Sequence, residues 1–290
     1  VTDSGNNTTF TVAATATGSS GTFQPRLLSS GITDAAGNAN ASASTSSSSV
    51  NYSAAALTVT VNQASGQSDP VNTLPATFTV VFSAAINNAT FNTTDISSTG
   101  STATGISWSL STTDNITYTL TATSVTGPGT IIPSIAANMV QDAFGNNNAA
   151  STTSDNSVTY DNVIPTLTFT SFTPGSSGST LTPTIRGTAS ETSTVTIYYD
   201  NQCTTAKSLG TSNTAFASPG ITVSANVIAD TATSFYGKAV DAAGNTSICT
   251  SLSSYTNDST APTITSVASS TANGSYKASQ TIAVTVTFTR

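Results

Sequence analysis

Ile282-Ala-Val284-Thr-Val286-Thr-Phe288 places an apolar side chain at every second position, with Ala or Thr between. A period of two residues is typical of a β-strand that buries one face and exposes the other. Thr suits the exposed face because its branched Cβ favours extended backbone. The pattern therefore predicts an all-β fold, with one helical turn at 135–140. The same alternation recurs at 57–61, 78–80, 118–120, 167–169 and 195–197.

An Asp-x-x-Gly-Asn motif occurs three times, at 34–38, 142–146 and 241–245. The first two copies belong to a longer match, because residues 3–52 shifted by 108 positions align with 111–160 without a gap. A chance motif would not keep its register over such a length. We therefore interpret the chain as a tandem array of one supersecondary design. Aligned pairs include Phe10 with Tyr118, Pro25 with Pro133, Asp34 with Asp142, Val50 with Val158 and Tyr52 with Tyr160.

Two similar linkers set the predicted domain boundaries. Asp161-Asn-Val-Ile-Pro165-Thr166 and Asp258-Ser-Thr-Ala-Pro262-Thr263 each lead into a new alternating strand, and their prolines stiffen the joints. The two inner pieces have about the size of an immunoglobulin-type sandwich, roughly 100 residues. Either the outer pieces are completed by a longer chain, or neighbouring copies complete each other. The predicted pieces are 1–52, the C-terminal half of a repeat; 53–160 and 161–257, complete repeats; and 258–290, the first strands of a further one.

The composition excludes several classes of function. Only 7% of the residues are charged, the net charge is −7, Ser and Thr make up more than a third, and His is absent. The missing basic surface argues against a nucleic-acid partner, and no apolar run is long enough to span a membrane. General acid–base and triad chemistry favour His or paired carboxylates, and the carboxylates are scattered at turns. We therefore predict that the chain is not an enzyme.

The linkers, the Asp-x-x-Gly-Asn turns, the strand Phe235-Tyr-Gly-Lys-Ala-Val240 and the stretch Gly187-Thr-Ala-Ser-Glu-Thr-Ser-Thr-Val195 resemble the bacterial Ig-like repeats of very large surface proteins and adhesins. The resemblance covers nearly the whole chain. It implies tandem immunoglobulin-like β-sandwich domains in an elongated array. It also implies a stalk, spacer or adhesive fibre outside the cell.

The Asp-x-x-Gly-Asn motif has two interpretations. A tight turn, in which Asp accepts backbone amides and Gly takes positive φ, explains all three copies. The resemblance adds a second, since it implies that Asp241, Glu191 and the linker residue Asp161 meet at one pole of the third piece. Three carboxylates without a cation would repel each other, and related arrays bind Ca²⁺ at such joints. Asp161, Glu191 and Asp241 are therefore the predicted calcium ligands.

The joint before the second piece differs from this one. Its linker, 51–56, contains no carboxylate, and Ala84 stands where related repeats often carry Glu. We therefore expect Asp142 to be a turn residue, and calcium to stiffen the joint near residue 161 but not the one near residue 54.

Cys203 and Cys249 are the only cysteines. Metal or thiol chemistry would require a CxxC pair or a neighbouring His, and the chain has neither. We predict a disulfide between them, which fits an oxidising compartment; two buried free thiols are the alternative.

The sequence thus predicts a non-enzymatic, extracellular segment of a bacterial surface protein that provides reach and rigidity. Its expected partners are neighbouring repeats or identical chains, with host, prey or matrix glycans and proteins as further candidates. The alternative is a self-assembling filament or sheath subunit whose residues 258–290 complete segment 1–52 of a neighbour by β-strand addition. A carbohydrate-binding module is the second alternative, although Trp108 and the tyrosines form no visible cluster.

Overall fold

Alternating apolar residues form the strands that the sequence predicts, and the fold is all-β. The computed structural model describes residues 2–3, 8–204, 208–212, 216–223 and 227–289, of which 2–3 and 208–212 are described by their backbone alone. The chain divides into two compact units, Val1–Asn162 and Val163–Arg290. This division falls within the predicted linker 161–166, whereas the finer division into four pieces stays a prediction.

The first unit contains a first segment, residues 2–53, and a central segment, residues 57–160. The strands of the first segment are β1 (Thr2–Asp3), β2 (Phe10–Thr11), β3 (Ser20–Phe23), β4 (Arg26–Leu27), β5 (Ser44–Thr45) and β6 (Val50–Ser53). The central segment contains β7 (Val59–Gln63), β8 (Ala76–Phe82), the 3₁₀ turns Asn88–Thr90 and Thr93–Asp95, β9 (Ile96–Ser97), β10 (Thr104–Thr112), β11 (Thr117–Thr126), β12 (Gly129–Ile131), β13 (Ser134–Ile135) and β14 (Val158–Tyr160).

The core of the first unit lies in the central segment. Its main sheet has the order β10-β11-β8-β7, and two short pairs, β12 with β14 and β13 with β9, accompany it. The apolar side of β8 is fully covered, since Phe78, Val80 and Phe82 are buried, whereas Thr79 between them is half-buried and Val81 is exposed. A helical turn at 135–140 is wrong: Ile135 belongs to β13, where it packs into the core, and the residues after it form a non-helical turn.

Strands β3 and β6 of the first segment pair in the same register as β12 and β14, their counterparts 108 residues later, whereas the β1–β2 register is shifted by one residue from that of β10–β11. Phe23 pairs with Val50 and Gly21 with Tyr52, just as Ile131 pairs with Val158 and Gly129 with Tyr160. The side chain of Asn40 donates to the carbonyl of Leu28 at 2.9 Å, and that of Asn148 donates to the carbonyl of Ala136 at 2.8 Å. The alignment read from the sequence therefore corresponds to matching hydrogen bonds.

The second unit packs two sheets around its own core. The strands are β15 (Leu167–Thr173), β16 (Ser177–Gly178), β17 (Thr184–Ala189), β18 (Ser193–Tyr198), β19 (Ser208–Ser212), β20 (Ile221–Thr222), β21 (Ala232–Asp241), β22 (Thr250–Asn257), β23 (Ile264–Ser269) and β24 (Val284–Phe288). One sheet has the order β16-β22-β21-β18-β19 and the other β15-β17-β20. Phe172 joins the two sheets, since its ring contacts Phe235 and Tyr255 at centroid distances of 5.9 and 5.7 Å.

The hairpin β23–β24 lies outside this core. Its apolar residues, among them Val267, Val284 and Phe288, are exposed. The first segment is similar, because Phe10, Val12 and Val50 are exposed as well. Both regions therefore have strands whose apolar side has no cover within the described chain.

The predicted disulfide between Cys203 and Cys249 is present. It joins the turn after β18 to the residue before β22, and these two strands flank β21 on opposite sides. The bond therefore links strands that are not direct neighbours, over a sequence separation of 46 residues.

We expect the double substitution Cys203→Ser and Cys249→Ser to destabilise the second unit by about 4 kcal/mol, because a cross-link over this separation restricts the unfolded chain. Calorimetry should show a lower unfolding transition for the second unit. Trp108, the only tryptophan, lies in the first unit and should report an unchanged transition there. An unchanged unfolding transition of the second unit would contradict the expected contribution of the disulfide to stability.

Candidate functional site

The three Asp-x-x-Gly-Asn turns share one hydrogen-bond pattern. In the second turn, Oδ1 of Asp142 accepts the backbone amides of Phe144 and Asn146 at 2.8 and 2.9 Å. Oδ2 of Asp142 accepts the side-chain amide of Asn146 at 2.9 Å. The corresponding side-chain bonds are 3.0 Å long in the first turn, between Asn38 and Asp34, and 2.8 Å in the third, between Asn245 and Asp241.

The glycine of the motif is required by its backbone conformation. Gly37, Gly145 and Gly244 have φ values of 88°, 84° and 91°, in the left-handed region that residues with a Cβ rarely adopt. The tight-turn interpretation of the motif therefore accounts for the Asp, Gly and Asn that the three copies share.

These hydrogen bonds act on the charge of the aspartates. Burial raises the pKa of Asp142, but the bonds from Asn146 and from the backbone amides outweigh it, so that the pKa lies below its ordinary value. The side-chain amide of Asn38, followed by its backbone amide, likewise lowers the pKa of Asp34. Both turns therefore stabilise the ionised form of the aspartate.

The second turn also holds the peptide that enters the central segment. The side-chain amide of Asn146 donates one hydrogen to Asp142 and the other to the carbonyl of Ser53, at 3.0 Å. Ser53 is the last residue of β6, so this bond joins the end of the first segment to a turn that comes 93 residues later in the sequence. Sequence reasoning missed this role. The available signal was that an Asn amide has two donors and the turn uses only one.

In the second unit, Glu191 and Asp241 lie at the same end of the sheet. Asp241 ends β21 and pairs with Ser193, the first residue of β18, while Glu191 lies in the short connection from β17 to β18. Two hydrogen bonds of 2.9 Å between Ser190 and Thr166 fix this connection against the start of β15. A carboxylate oxygen of Glu191 lies within 4.8 Å of one of Asp241.

The structure thus brings together two of the three predicted calcium ligands. Asp161 belongs to the first unit, where its backbone amide donates to the carbonyl of Val71 at 2.8 Å. It lies two positions before the division between the units. Its convergence with Glu191 and Asp241 stays a prediction.

The pair Glu191 and Asp241 offers hard oxygen ligands, which suit Ca²⁺ or Mg²⁺ rather than soft metals. Two carboxylates this close repel each other by about 1 kcal/mol at the dielectric constant of water, and more where water is excluded. A cation bound between the two carboxylates would attract both of them and offset their mutual repulsion.

Trp108 takes part in packing. Its ring contacts Phe78 edge-on at a centroid distance of 5.9 Å, and its Nε1 donates to Oγ of Ser98 at 3.2 Å. Both contacts hold the half-buried ring against the core of the first unit. The side chain of Trp108 therefore contributes to the packing of this core.

No helix in the described part of the chain is long and apolar enough to cross a membrane. Comparison of the sequence with protein-family models and with curated proteins gave no match. One solved structure with a weak likeness is the crystal structure of gamma-CGTase from alkalophilic Bacillus clarkii. It is 12% identical in sequence, and the alignment covers 78% of this chain and 31% of that one at a TM-score of 0.20. A likeness at this level carries no argument about function.

We expect Asn146→Ala to destabilise the first unit by about 2 kcal/mol, since the change removes hydrogen bonds to Asp142 and to the carbonyl of Ser53. Trp108 fluorescence during urea unfolding measures the loss, and hydrogen exchange at residues 54–56 should accelerate. Asn38→Ala is the matched control, because it removes the same bond within the first turn. Equal rates of hydrogen exchange at residues 54–56 in the two variants would show that Asn146 does not hold the linker.

Acid should weaken the second turn. Because the pKa of Asp142 is lower in the folded chain than in the unfolded one, its stabilising effect is complete at neutral pH and is lost progressively below about pH 4, as the pH falls through the lowered folded pKa. We therefore expect Asp142→Asn to lower the urea midpoint at pH 7 and to differ less from the parent at pH 3. An equal difference at both pH values would contradict this linkage.

Proposed function

We propose that residues 1–290 form a non-enzymatic structural segment of an extracellular bacterial surface protein. Successive immunoglobulin-like β-sandwiches would provide reach and rigidity. The observation that carries the proposal is that two units with separate cores follow one another along the chain, across a linker that contains Pro165. Such an arrangement builds length, because each unit stabilises itself and short joints limit bending.

Further observations support this role. At the joint near residue 54, the side-chain amide of Asn146 binds the carbonyl of Ser53 and so fixes the first segment to the central one. The disulfide favours an oxidising compartment outside the cytoplasm. The absence of His from the sequence removes the commonest general acid–base group, which supports a role without catalysis.

We propose further that the joint near residue 161 binds Ca²⁺ through Asp161, Glu191 and Asp241. The closeness of Glu191 and Asp241 and the position of Asp161 in the connecting linker support this assignment. The joint near residue 54 would work without metal, since its linker, 51–56, contains no carboxylate and Ala84 stands where related repeats often carry Glu.

Calcium should slow hydrogen exchange at residues 161–166 and leave residues 51–56 unchanged. At a concentration 100 times the dissociation constant, it should stabilise the second unit by about 2.7 kcal/mol. Glu191→Gln and Asp241→Asn should abolish both effects, whereas Asp142→Asn should retain them. Calcium that slows both joints equally, or neither, would contradict the assignment.

The role itself is tested on the protein from its native source. We expect the denatured chain to have several times the 29.0 kDa of this segment, and an antibody against residues 1–290 to label intact cells. A protein confined to the cytoplasm would overturn the proposal.

A self-assembling filament or sheath is the alternative. The exposed apolar faces of the first segment and of hairpin β23–β24 favour it, since such faces need a partner. A denatured chain near 29.0 kDa that occurs in much larger particles would support it. The carbohydrate-binding alternative requires an exposed aromatic platform, and Trp108 is packed against Phe78.

A further inference from the structure

Asp230 lies in the turn before β21, where its backbone has a φ of 55°, in the left-handed region. Gly adopts this conformation without strain, whereas a residue with a Cβ adopts it at a cost. The side chain of Asp230 is exposed, so packing does not explain why Asp stands there. A strained residue of this kind indicates a role for its side chain.

The carboxylate of Asp230 binds the linker that follows β22. Its Oδ1 accepts the backbone amide of Ser259 at 2.7 Å and the Ser259 hydroxyl at 2.9 Å. These bonds, that of the backbone amide first, hold the pKa of Asp230 below its ordinary value. The acceptor is therefore ionised at neutral pH, and hydrogen bonds to a charged acceptor are stronger than those between neutral groups.

The turn that contains Asp230 is itself fixed to the core. The backbone amide of Asp230 donates to Oδ1 of Asn257 at 2.9 Å, and the backbone amide of Asn257 donates to the carbonyl of Thr231 at 3.0 Å. Asn257 is 1% exposed, and its side-chain amide donates to the carbonyls of Gly178 and Thr180 at 3.2 and 3.1 Å. The contact between Asp230 and Ser259 thus rests on a buried side chain.

The two predicted linkers begin with the same backbone contact. The amide of Asp161 donates to the carbonyl of Val71 at 2.8 Å, and the amide of Asp258 donates to that of Gly178 at 3.0 Å. Each acceptor residue pairs in parallel with the residue just before the aspartate. This pairing fixes the first residue of each linker. In the second linker, the next residue, Ser259, is held as well.

We propose that Asp230 is a positioning residue for a third joint, the one near residue 259. By holding Ser259, its carboxylate sets the direction in which the chain leaves the core of the second unit and enters β23. Pro262 keeps the residue before it extended, so few free torsions remain between Ser259 and β23. A protein carboxylate, rather than a bound cation, stiffens this joint.

This inference rests on the proposed function, since a fixed joint serves a segment that provides reach. The two can nevertheless fail separately. Unchanged behaviour of Ser259 after removal of the carboxylate would overturn the role of Asp230, whereas the mass and location of the native chain decide the structural role.

The first test compares hydrogen exchange, residue by residue, in protein 1–290 and in its Asp230→Gly variant. The substitution removes the carboxylate and also relieves the backbone strain, so the second unit should remain folded. We expect the amide of Ser259 to exchange at least about tenfold faster. The amide of Asp258 should keep its rate, because its partner is the carbonyl of Gly178. An unchanged rate at Ser259 would overturn the proposal.

Two further variants separate the carboxylate from the backbone. Asp230→Asn keeps an acceptor oxygen without the charge, so Ser259 should exchange at a rate between those of the parent and of Asp230→Gly. Ser279→Gly is the matched control, because Ser279 also has a positive φ, of 75°, but lies in the loop between β23 and β24. It should leave the rate at Ser259 unchanged. An equal acceleration in Ser279→Gly would show that the effect does not come from the carboxylate.

The second test measures the direction of the joint. Spin labels on Thr168→Cys and Thr285→Cys, two exposed positions on β15 and β24, report the distance between the core of the second unit and the hairpin. We expect a broader distribution of distances when Asp230→Gly is added, and the parent distribution when Ser279→Gly is added. Equal widths with and without the carboxylate would show that Asp230 does not position the joint, whatever happens at Ser259.

Discussion

Each strand in this chain has one apolar side that has to be covered, and the rest of the structure follows from that constraint. With few charged residues in the chain, Thr and Ser make up much of its polar character. The inner faces of the central segment and of the second unit meet in two separate cores. In the first segment and in hairpin β23–β24, where the described residues place no second sheet opposite, the same alternation leaves valines and phenylalanines exposed. The same alternation thus accounts for the two buried cores and for the exposed apolar faces.

The strands were predictable because alternation is a local property. Phe78 and Val80 are buried while the Thr between them is only half-buried, as the two-residue period indicates. The turn at 135–140 was mistaken because its apolar residues belong partly to β13 and partly to a loop, and their burial comes from distant strands. Local sequence contains little information about such contacts.

The candidate site was only partly predictable for a similar reason. The motif showed that Asp142 and Asn146 form a turn, but not that the second amide hydrogen of Asn146 reaches Ser53, which is distant along the chain. Glu191 and Asp241 come together because of the pairing of β18 with β21, and the pairing partner of a strand depends on the whole fold. The cysteines were easier, because two lone cysteines in one domain leave few other interpretations.

The Cys203–Cys249 bond has a consequence for a chain under tension. When the second unit is pulled open from its ends, the residues between the two cysteines cannot extend, because the covalent bond carries the force past them. A separation of 46 residues removes about 150 Å from the length that the unit could otherwise release. The second unit would therefore release only the residues outside the loop and then resist, and only a reducing environment would free the residues within it.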